Sequence, residues 1–575
     1  MRQSHPNALS LITLCFVLTA AAGCQRPAQE APESPEPSGA SEPAVTPRME
    51  RAGAAVTTQT LRNHIAFLSD DALGGRGPGT QGDETARQYL ATRMEELGLQ
   101  PAFRDSWEQP FELVSVETRN PDTWTFRSAG EGVALTSLAH SDEFIANSGV
   151  QEGAAALEDA ELVFVGYGIA APEYQWDDYK GQDLAGKVLL MLNNDPEWDP
   201  TMFAGETRLY YGRWTYKYEE AARQGAAGAI IIHTDPSAGY PWQVVQSSWG
   251  GPQFELPAED EPRVQVKGWV TEAAAAKVVE LAGTDLAQLT ESARSRDFEP
   301  VPLGVTTSID LPTEISRTET ANVGGLLPGS DPELGDEIVV YTAHHDHLGT
   351  GEPNDEGDGI YNGARDNASG TSAVLAIAEA FTRLPEAPAR SVLFLFVAAE
   401  EQGLLGSRYY ALHPSIPPGK IAANINIDGA NIWGRTRDIT YIGHGKSSLD
   451  QVVEAFAGIQ GRTVKPDQFP DRGFFYRSDQ FNFAKIGVPA IYLDDGTDFP
   501  GRPEGWGREQ IERWTEVHYH QPSDELTDDW NFDGMVEDTR LLFHIGAYLA
   551  ATPEMPTWNP GDEFEAARQQ ALAAE

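Results

Sequence analysis

Cysteine is nearly absent from this sequence, with two residues in 575. Cys15 lies inside an N-terminal apolar run, and Cys24 lies two residues after that run. No thiol is therefore left in the rest of the chain to form a disulfide or to bind a metal. Any metal site must use histidine, aspartate and glutamate side chains.

Basic residues are scarce as well. The chain has 41 lysines and arginines against 87 aspartates and glutamates, which gives a formal net charge of -46. A polyanionic surface repels phosphate backbones, so nucleic acid is excluded as a partner. Composition does not identify the substrate or the oligomeric state.

Long apolar runs are limited to the N-terminus. The run from Ala8 to Ala22 is too short for a resident membrane helix, and residues 1–23 are predicted to be a signal peptide. Small residues before Cys24 resemble the lipobox of bacterial lipoproteins, which implies a lipid anchor on Cys24 and a location on a membrane outside the cytoplasm. Gln25 favours the outer membrane. A plain signal peptide with an incidental cysteine is the alternative.

Residues 24–50 are rich in proline, alanine, serine and glutamate and are predicted to form a disordered tether. The roughly 500 residues that follow exceed what one hydrophobic core usually supports. We expect a first part of the main domain at 51–150, an insertion at 151–312, the rest of the main domain at 313–553, and a tail at 554–575.

The insertion is predicted from a change to short strands and glycine-rich turns. Gly166-Tyr167-Gly168, Gly186-Lys187-Val188 and the Gly225–Ala229 stretch resemble, in this order, the protease-associated domain. The single histidine of the insertion, His233, is expected at the surface.

From about residue 320, strands and helices alternate. Ile338–Thr342 and 392–397 are continuous apolar strands, and 370–384 reads as a helix between them. Continuous apolar strands indicate a sheet that is buried on both faces. We therefore predict an α/β fold with a doubly covered, mostly parallel sheet, in which sites form outside the carboxyl ends of the strands.

Candidate ligands follow each of the three buried strands. His344 and Asp346 come after the first, Glu400 and Glu401 after the second, and Asp428 after the third. Clustered carboxylates repel one another unless a cation neutralises them. The pattern predicts a metal site.

The order of these motifs resembles the zinc aminopeptidase family of clan MH, which includes bacterial leucyl aminopeptidases, glutamate carboxypeptidase II and the transferrin receptor. The family order is His-x-Asp, Asp-Asn-x-x-Gly, Glu-Glu, Asp and a late Tyr-His. The resemblance covers about 55–150 and 315–550, and it implies peptide substrates and two Zn²⁺ ions.

The resemblance also implies a role for each matching residue. It places His344 and Asp428 on one zinc, Glu401 and His520 on the other, and Asp366 between both, with a cis peptide bond at Asp366-Asn367. Asp346 would orient His344. The neighbouring histidines His345, His347 and His518 are less favoured as ligands.

Two further residues carry chemistry in the family. Glu400 would be the general base, and Tyr519 would stabilise the oxyanion or simply pack. Together these assignments imply an exopeptidase, first of all an aminopeptidase. The alternatives are a carboxypeptidase, a glutaminyl-cyclase-like transferase and a non-catalytic receptor.

Specificity rests on weaker signals. Three acidic residues after the last strand favour recognition of a free amine, whereas three nearby arginines leave recognition of a carboxylate open. The acidic residues are Asp494, Asp495 and Asp498, and the arginines are Arg472, Arg477 and Arg502.

Overall fold

The computed structural model describes residues 43–129, 134–199, 202–351, 353–354 and 357–574. The predicted signal peptide, Cys24 and most of the tether lie outside these residues. Among the described residues, no helix has the length and apolar character needed to cross a membrane.

Strands and helices alternate along most of the chain. In chain order, the strands are β1 Gln100–Pro101, β2 Glu108–Thr118, β3 Thr123–Ser128, β4 Leu135–Ala139, β5 Phe144–Ser148, β6 Ala154–Phe164, β7 Ala170–Ala171, β8 Trp176–Asp177, β9 Val188–Leu192, β10 Gly228–His233, β11 Gln253–Glu255, β12 Val266–Thr271, β13 Val301–Leu327, β14 Ile338–His344, β15 Gly349–Thr350, β16 Ile360–Tyr361, β17 Ser391–Val397, β18 Ile421–Asn426, β19 Asp438–Ile442, β20 Thr463–Pro466 and β21 Ala490–Asp494. The α-helices are α1 Pro47–Gly53, α2 Thr58–Leu68, α3 Gln81–Glu96, α4 Trp214–Arg223, α5 Asp235–Ala238, α6 Trp242–Trp249, α7 Glu272–Glu280, α8 Leu286–Ser292, α9 Gly370–Thr382, α10 Leu405–Leu412, α11 Leu449–Ile459, α12 Gln480–Lys485, α13 Trp506–Val517, α14 Asp533–Leu549 and α15 Glu565–Ala573.

The main sheet has parallel strands at its centre. β17, β14, β18 and β21 lie side by side in this order, and all of these pairs are parallel. β13 is antiparallel to β17 at one side, and β19 is antiparallel to β21 at the other. The predicted α/β fold with a mostly parallel sheet is confirmed.

Both faces of this sheet are covered. In β14, Val339 and Tyr341 belong to the core that lies under α1, α2, α9 and α14. Ile338 and Val340 alternate with them and belong to a separate core with Tyr410 of α10 and Phe483 of α12. Because successive strand residues point to opposite faces, a continuous apolar run is needed to fill both cores.

A second sheet forms the inserted domain, whose strand order is β4-β3-β13-β6-β9-β10-β12-β5. The long strand β13 serves both sheets, since Val305–Ser308 pairs with β3 while Thr313–Val323 pairs with β2. One strand therefore links the two domains directly.

The predicted domain boundary at residue 150 is wrong. β3, β4 and β5 pair within the second sheet, so the inserted domain starts after β2, close to residue 120. Short strands of 5 or 6 residues have no local signal that says which sheet they join. The expectation for His233 is wrong too, because its side chain is buried and lies 3.1 Å from the Tyr240 carbonyl.

Two end segments differ from their predictions. The last residues of the predicted tether are helical, since α1 begins at Pro47 and buries Met49. The predicted tail packs onto the main domain, where Trp558 and Arg568 are buried and Arg568 donates to the Ile421 carbonyl. Apolar and hydrogen-bonding contacts hold both segments in place.

Candidate metal centre

The predicted ligands meet at the carboxyl edge of the parallel strands. His344 is the last residue of β14, Glu401 follows β17, and Asp428 follows β18. These three strands are neighbours, so their ends share one edge. Asp366 reaches the same place from the loop before α9, and His520 from the segment after α13.

The first half of the site surrounds His344. Its Nε2 atom lies 3.2 Å from Asp366 Oδ1 and 3.2 Å from Asp428 Oδ1. The ligand atoms of these three residues all lie within 4.8 Å of one another. The His344 side chain is buried, which shields the group from bulk water.

The second half surrounds His520. Its Nε2 atom lies 2.9 Å from Glu401 Oε2 and 3.4 Å from Asp366 Oδ2. Asp366 thus faces His344 with one carboxylate oxygen and His520 with the other. Asp366 therefore lies between the two halves of the site, where the family resemblance also places it.

The alternative histidines separate clearly in space. His345 turns away, and its Nε2 lies 3.1 Å from Asp83. His518 also turns away, with Nδ1 2.9 Å from the Ser523 hydroxyl. His347 in contrast joins the second half, since its Nδ1 lies 2.6 Å from Glu401 Oε1, and it groups with Asp366 and Glu401.

The donor set fits zinc. His520 Nε2 is buried and lies close to two carboxylates, yet it forms no hydrogen bond within the described residues. Close, unbonded donors of this kind are expected around a shared cation. Mixed imidazole and carboxylate donors are ligands that suit Zn²⁺.

The pKa values of the two adjacent glutamates, Glu400 and Glu401, are strongly shifted in opposite directions. Burial raises the pKa of Glu400 well above its usual value, and the negative charges of Asp428 and Glu401 raise it further. Burial also acts to raise the pKa of Glu401, but the charges of His520 and His347 outweigh it and hold the pKa at about 2. The two adjacent glutamates are therefore in different electrostatic environments, as different roles require.

Asp346 supports the site differently from the prediction. Its carboxylate is 3.8 Å from His344 Nδ1, while its own backbone carbonyl is nearer, at 3.3 Å. Asp346 Oδ1 instead accepts a hydrogen bond from the Glu400 amide at 3.1 Å. Burial raises the pKa of Asp346 to about 8. Asp346 thus connects the ends of β14 and β17.

Sequence reasoning missed the residues that shape the Asp366 loop. The Asp524 carboxylate accepts hydrogen bonds from the amides of Arg365 and Asp366, both at 3.0 Å. Asn367 Oδ1 accepts from the amide of Gly429, next to Asp428, at 3.0 Å. The peptide bond between Asp366 and Asn367 is cis, as predicted. The only signal in the sequence for Asp524 was its place shortly after Tyr519-His520.

Tyr519 lies beside the site. Its ring stacks on the His520 ring with a centroid distance of 3.8 Å. Burial raises the pKa of the Tyr519 hydroxyl to about 12, which keeps it protonated at neutral pH. A proton donor is thus available next to the second half of the site.

Two of the three acids expected to hold a substrate amine are already paired. Asp495 accepts from Arg365 at 2.6 Å, and Asp498 accepts from Arg437 at 2.8 Å. Asp494 remains, and burial raises its pKa, with Asp428 among the neighbours that add to the rise. Of these three acids, Asp494 is therefore the candidate for binding the amine of a substrate.

A family model and several known proteins match parts of this chain. The model of peptidase family M28 matches residues 322–543. Leupeptin-inactivating enzyme 1 of Streptomyces exfoliatus is 26% identical over 273 residues, which are 46% of this chain and 55% of that protein. A probable lipoprotein aminopeptidase, LpqL of Mycobacterium tuberculosis, is 28% identical over 207 residues, 33% of this chain and 38% of that protein. The chain thus spans about half the length, or less, of these curated relatives.

Among solved structures, one match is the aminopeptidase from Aneurinibacillus sp. strain AM-1. It has a TM-score of 0.49 and 18% identity, and the match covers 88% of this chain and 97% of that one. The family match contains the ends of β14, β17 and β18, the Asp366 loop and His520, which together form the site. Over residues 322–543 the chain is thus similar to peptidase family M28, in line with the zinc aminopeptidase resemblance of its motif order.

Proposed function

We propose that this protein is an exported, zinc-dependent exopeptidase that removes N-terminal residues from peptides. The observation that carries the proposal is the position of Asp366, which faces His344 with one oxygen and His520 with the other. A carboxylate between two separate donor groups is suited to hold two cations. The aminopeptidase names of relatives support the choice of substrate end.

In this proposal, His344 and Asp428 would hold one zinc ion, Glu401 and His520 would hold the other, and Asp366 would serve both. When bound, the two ions polarise a substrate carbonyl and make water acidic enough to attack it at neutral pH. His347 keeps Glu401 in place through their 2.6 Å contact.

Glu400 is the proposed general base. Its Oε2 lies 4.0 Å from His344 Nε2, farther than the 3.2 Å contacts of Asp366 and Asp428, so it borders the ligand group. Its amide is fixed by Asp346. The Glu400 carboxylate takes a proton from the attacking water and returns it to the leaving amine.

Tyr519 is the proposed oxyanion donor. Its ring stacks on His520 beside the site, and its hydroxyl is protonated at neutral pH. A neutral O–H donor can stabilise the negative charge that develops on the carbonyl oxygen. The test is Tyr519→Phe, which should lower kcat more than it changes KM.

The lipid anchor at Cys24 remains part of the proposal, as do the outer-membrane location and the protease-associated character of the inserted domain. The probable lipoprotein among the relatives supports an anchor. Radiolabelled palmitate should be incorporated into the wild-type protein, and Cys24→Ala should abolish the label and release the protein from membranes. Label on Cys24→Ala would contradict the anchor.

The activity is tested with three substrate types: aminoacyl-anilides, N-blocked peptides, and dipeptides with a C-terminal acidic residue. We expect hydrolysis of free-amine substrates, loss of activity after chelation and recovery with Zn²⁺. Cleavage of blocked peptides without cleavage of free-amine substrates would overturn the aminopeptidase assignment and favour a carboxypeptidase.

A further inference from the structure

Arg365, the residue directly before Asp366, has a charged side chain that is buried beside the metal centre. Only 9% of the residue is exposed. The motif Asp-Asn-x-x-Gly begins one residue later, so the family resemblance gives Arg365 no role. Burying a guanidinium group costs free energy unless its partners compensate it. The partners of Arg365 therefore indicate what the residue does.

The guanidinium group of Arg365 contacts segments that belong to both halves of the site. Its Nε donates to the carbonyl of Ala430, two residues after Asp428, at 3.2 Å. Its Cζ lies 4.3 Å from the ring centre of Trp514, and Trp514 is part of α13, the helix that leads to His520. One side chain thus joins the Asp428 segment of the first half to the His520 segment of the second.

Trp514 in turn holds the chain that carries His520. The Trp514 carbonyl accepts hydrogen bonds from the amides of His518, at 2.7 Å, and Tyr519, at 3.3 Å. A cation over the face of a tryptophan ring is attracted to it, and the attraction is stronger where water is excluded. Arg365 therefore fixes the end of α13 from which His520 extends.

Two further contacts fix the orientation of the guanidinium plane. Arg365 Nη2 donates to Asp495 Oδ2 at 2.6 Å, and Cζ lies 5.2 Å from the ring centre of Trp433. Asp495 is buried and follows β21, which pairs with the strand that ends before Asp428. A planar guanidinium that is held by a carboxylate and by aromatic rings has a defined direction, which the ammonium group of a lysine would lack.

The main chain of Arg365 is held as well. Its amide and the amide of Asp366 both donate to the Asp524 carboxylate at 3.0 Å. Its carbonyl accepts a hydrogen bond from the Ser369 hydroxyl at 2.6 Å. Because Arg365 is fixed through both its main chain and its side chain, Asp366 is fixed relative to the segments that Arg365 contacts.

We propose that Arg365 is a positioning residue that sets the spacing of the two halves of the metal centre. It acts through Ala430 and Trp514, and so it places the Asp428 and His520 segments relative to Asp366. Residues that orient metal ligands from behind affect metal affinity although they do not bind the ion. The inference rests on the proposed two-zinc function.

The first experiment measures the zinc affinity of the metal-depleted protein by competition with a chromophoric chelator. Arg365→Met keeps most of the apolar side chain but removes the charge and the planar group. Zinc binding should weaken by about 10- to 100-fold, as expected for a residue that orients ligands. Arg365→Lys keeps the charge and should recover part of this loss.

Arg390→Met is the matched control. Arg390 is also buried, its Nε pairs with Glu337 at 2.7 Å, and its Nη1 donates to the Leu549 carbonyl at 2.8 Å. It directly precedes β17, so it lies at the amino end of a strand whose carboxyl end carries the site. Arg390→Met should lower the temperature of thermal unfolding and leave the zinc affinity unchanged.

The two variants together decide the positioning role. An unchanged zinc affinity in Arg365→Met, or an equal loss in Arg390→Met, would overturn it. If Arg365→Met does not fold, Asp495→Asn takes its place, because it removes the charge that orients the guanidinium and keeps the shape of the side chain. Zinc binding should then weaken by a smaller factor, and an unchanged affinity would again overturn the proposal.

A wild-type protein that binds no zinc would contradict the proposed function, and hydrogen exchange then tests Arg365 alone. In the metal-free protein, Arg365→Met or Asp495→Asn should speed amide exchange in peptides that cover 428–433 and 514–520. Arg390→Met should leave both segments unchanged. Faster exchange in both segments supports the positioning role, and unchanged exchange in either one overturns it.

Discussion

Two regions of this molecule bury several charged groups, and they do so in opposite ways. In the inserted domain, Lys217, Asp178 and Asp195 are each at most 1% exposed. Lys217 donates to the carbonyls of Tyr167 and Asn194, at 2.5 and 2.8 Å. Each aspartate accepts a hydrogen bond from a backbone amide, and the nearby Arg208 adds a second positive charge. The chain itself compensates this group.

The metal centre is less balanced, although the buried side chains of Arg76 and Arg365 lie near its carboxylates. Its carboxylates outnumber the three histidines His344, His347 and His520, and the carboxylates are Asp346, Asp366, Glu400, Glu401 and Asp428. A compensated cluster stabilises the fold by itself, whereas an uncompensated one needs a cation from outside. The difference separates a group that supports the structure from one that is built for a ligand.

The strongest test of this comparison is Asp366→Ala. It removes the carboxylate shared by both halves, so both zinc ions should be lost and activity should fall by about 10⁵-fold, since each ion supplies several kcal/mol. Metal content by atomic emission and kcat with an aminoacyl-anilide provide the measurement. The control is Asp498→Asn, because Asp498 forms an exposed ion pair with Arg437. This variant should keep its zinc content and its activity. Retained metal would contradict the bridging role.

Glu400→Gln should have the next largest effect. We expect kcat to fall by about 10²–10⁴-fold while zinc content is unchanged, because a base is lost and no ligand is removed. Loss of metal would instead make Glu400 a ligand, since it lies within 4.8 Å of His344 and Glu401.

The same variant also tests charge imbalance in the metal-free protein. Burial and neighbouring carboxylates raise the pKa of Glu400, so ionising it opposes folding at neutral pH. Metal-free Glu400→Gln should therefore unfold at a higher urea concentration than metal-free wild type. A lower midpoint would contradict the assumed repulsion.

Lys217→Met breaks the compensated cluster and should destabilise the protein. Two buried aspartates lose their cation, which costs about 3 kcal/mol in urea unfolding. Lys277→Met is the control: Lys277 forms an exposed ion pair with Glu143, and its loss should cost less than about 1 kcal/mol. An equal loss of unfolding free energy in the two variants would show that the burial of Lys217 does not contribute to stability.

The smallest effect is expected at Glu255, which is paired with Arg263 and Lys267, both at 2.6 Å. Burial acts to raise its pKa, but the charges of Lys267 and Arg263 hold it at about 2, below the ordinary value of 4.5. A lowered folded-state pKa stabilises the fold above pH 4.5, and that stability is lost as the pH falls towards 2.

Glu255→Gln should therefore cost about 2 kcal/mol at pH 7. The difference from wild type should shrink as the pH falls from about 5 to about 2, which chemical unfolding at a series of pH values can follow. A difference independent of pH would contradict the ion-pair account.

Much of the main domain could be predicted because its signals are local. Ile338–Thr342 and 392–397 are apolar without interruption, so their burial on both faces follows from composition alone. The clustering of the candidate ligands could be predicted because parallel neighbours end at one edge of the sheet, whereas the role of each residue came from the family resemblance. The short strands β3, β4 and β5 could not be assigned, since their partners are far away in the sequence.

The sequence by itself determined the type of site, because histidine and carboxylates at the ends of buried strands have few other uses and cysteine was not available. Only the tertiary structure decided which of two adjacent histidines faces the candidate metal centre. His344 faces Asp366 while His345 turns to Asp83, because neighbouring residues at a strand end point to opposite sides.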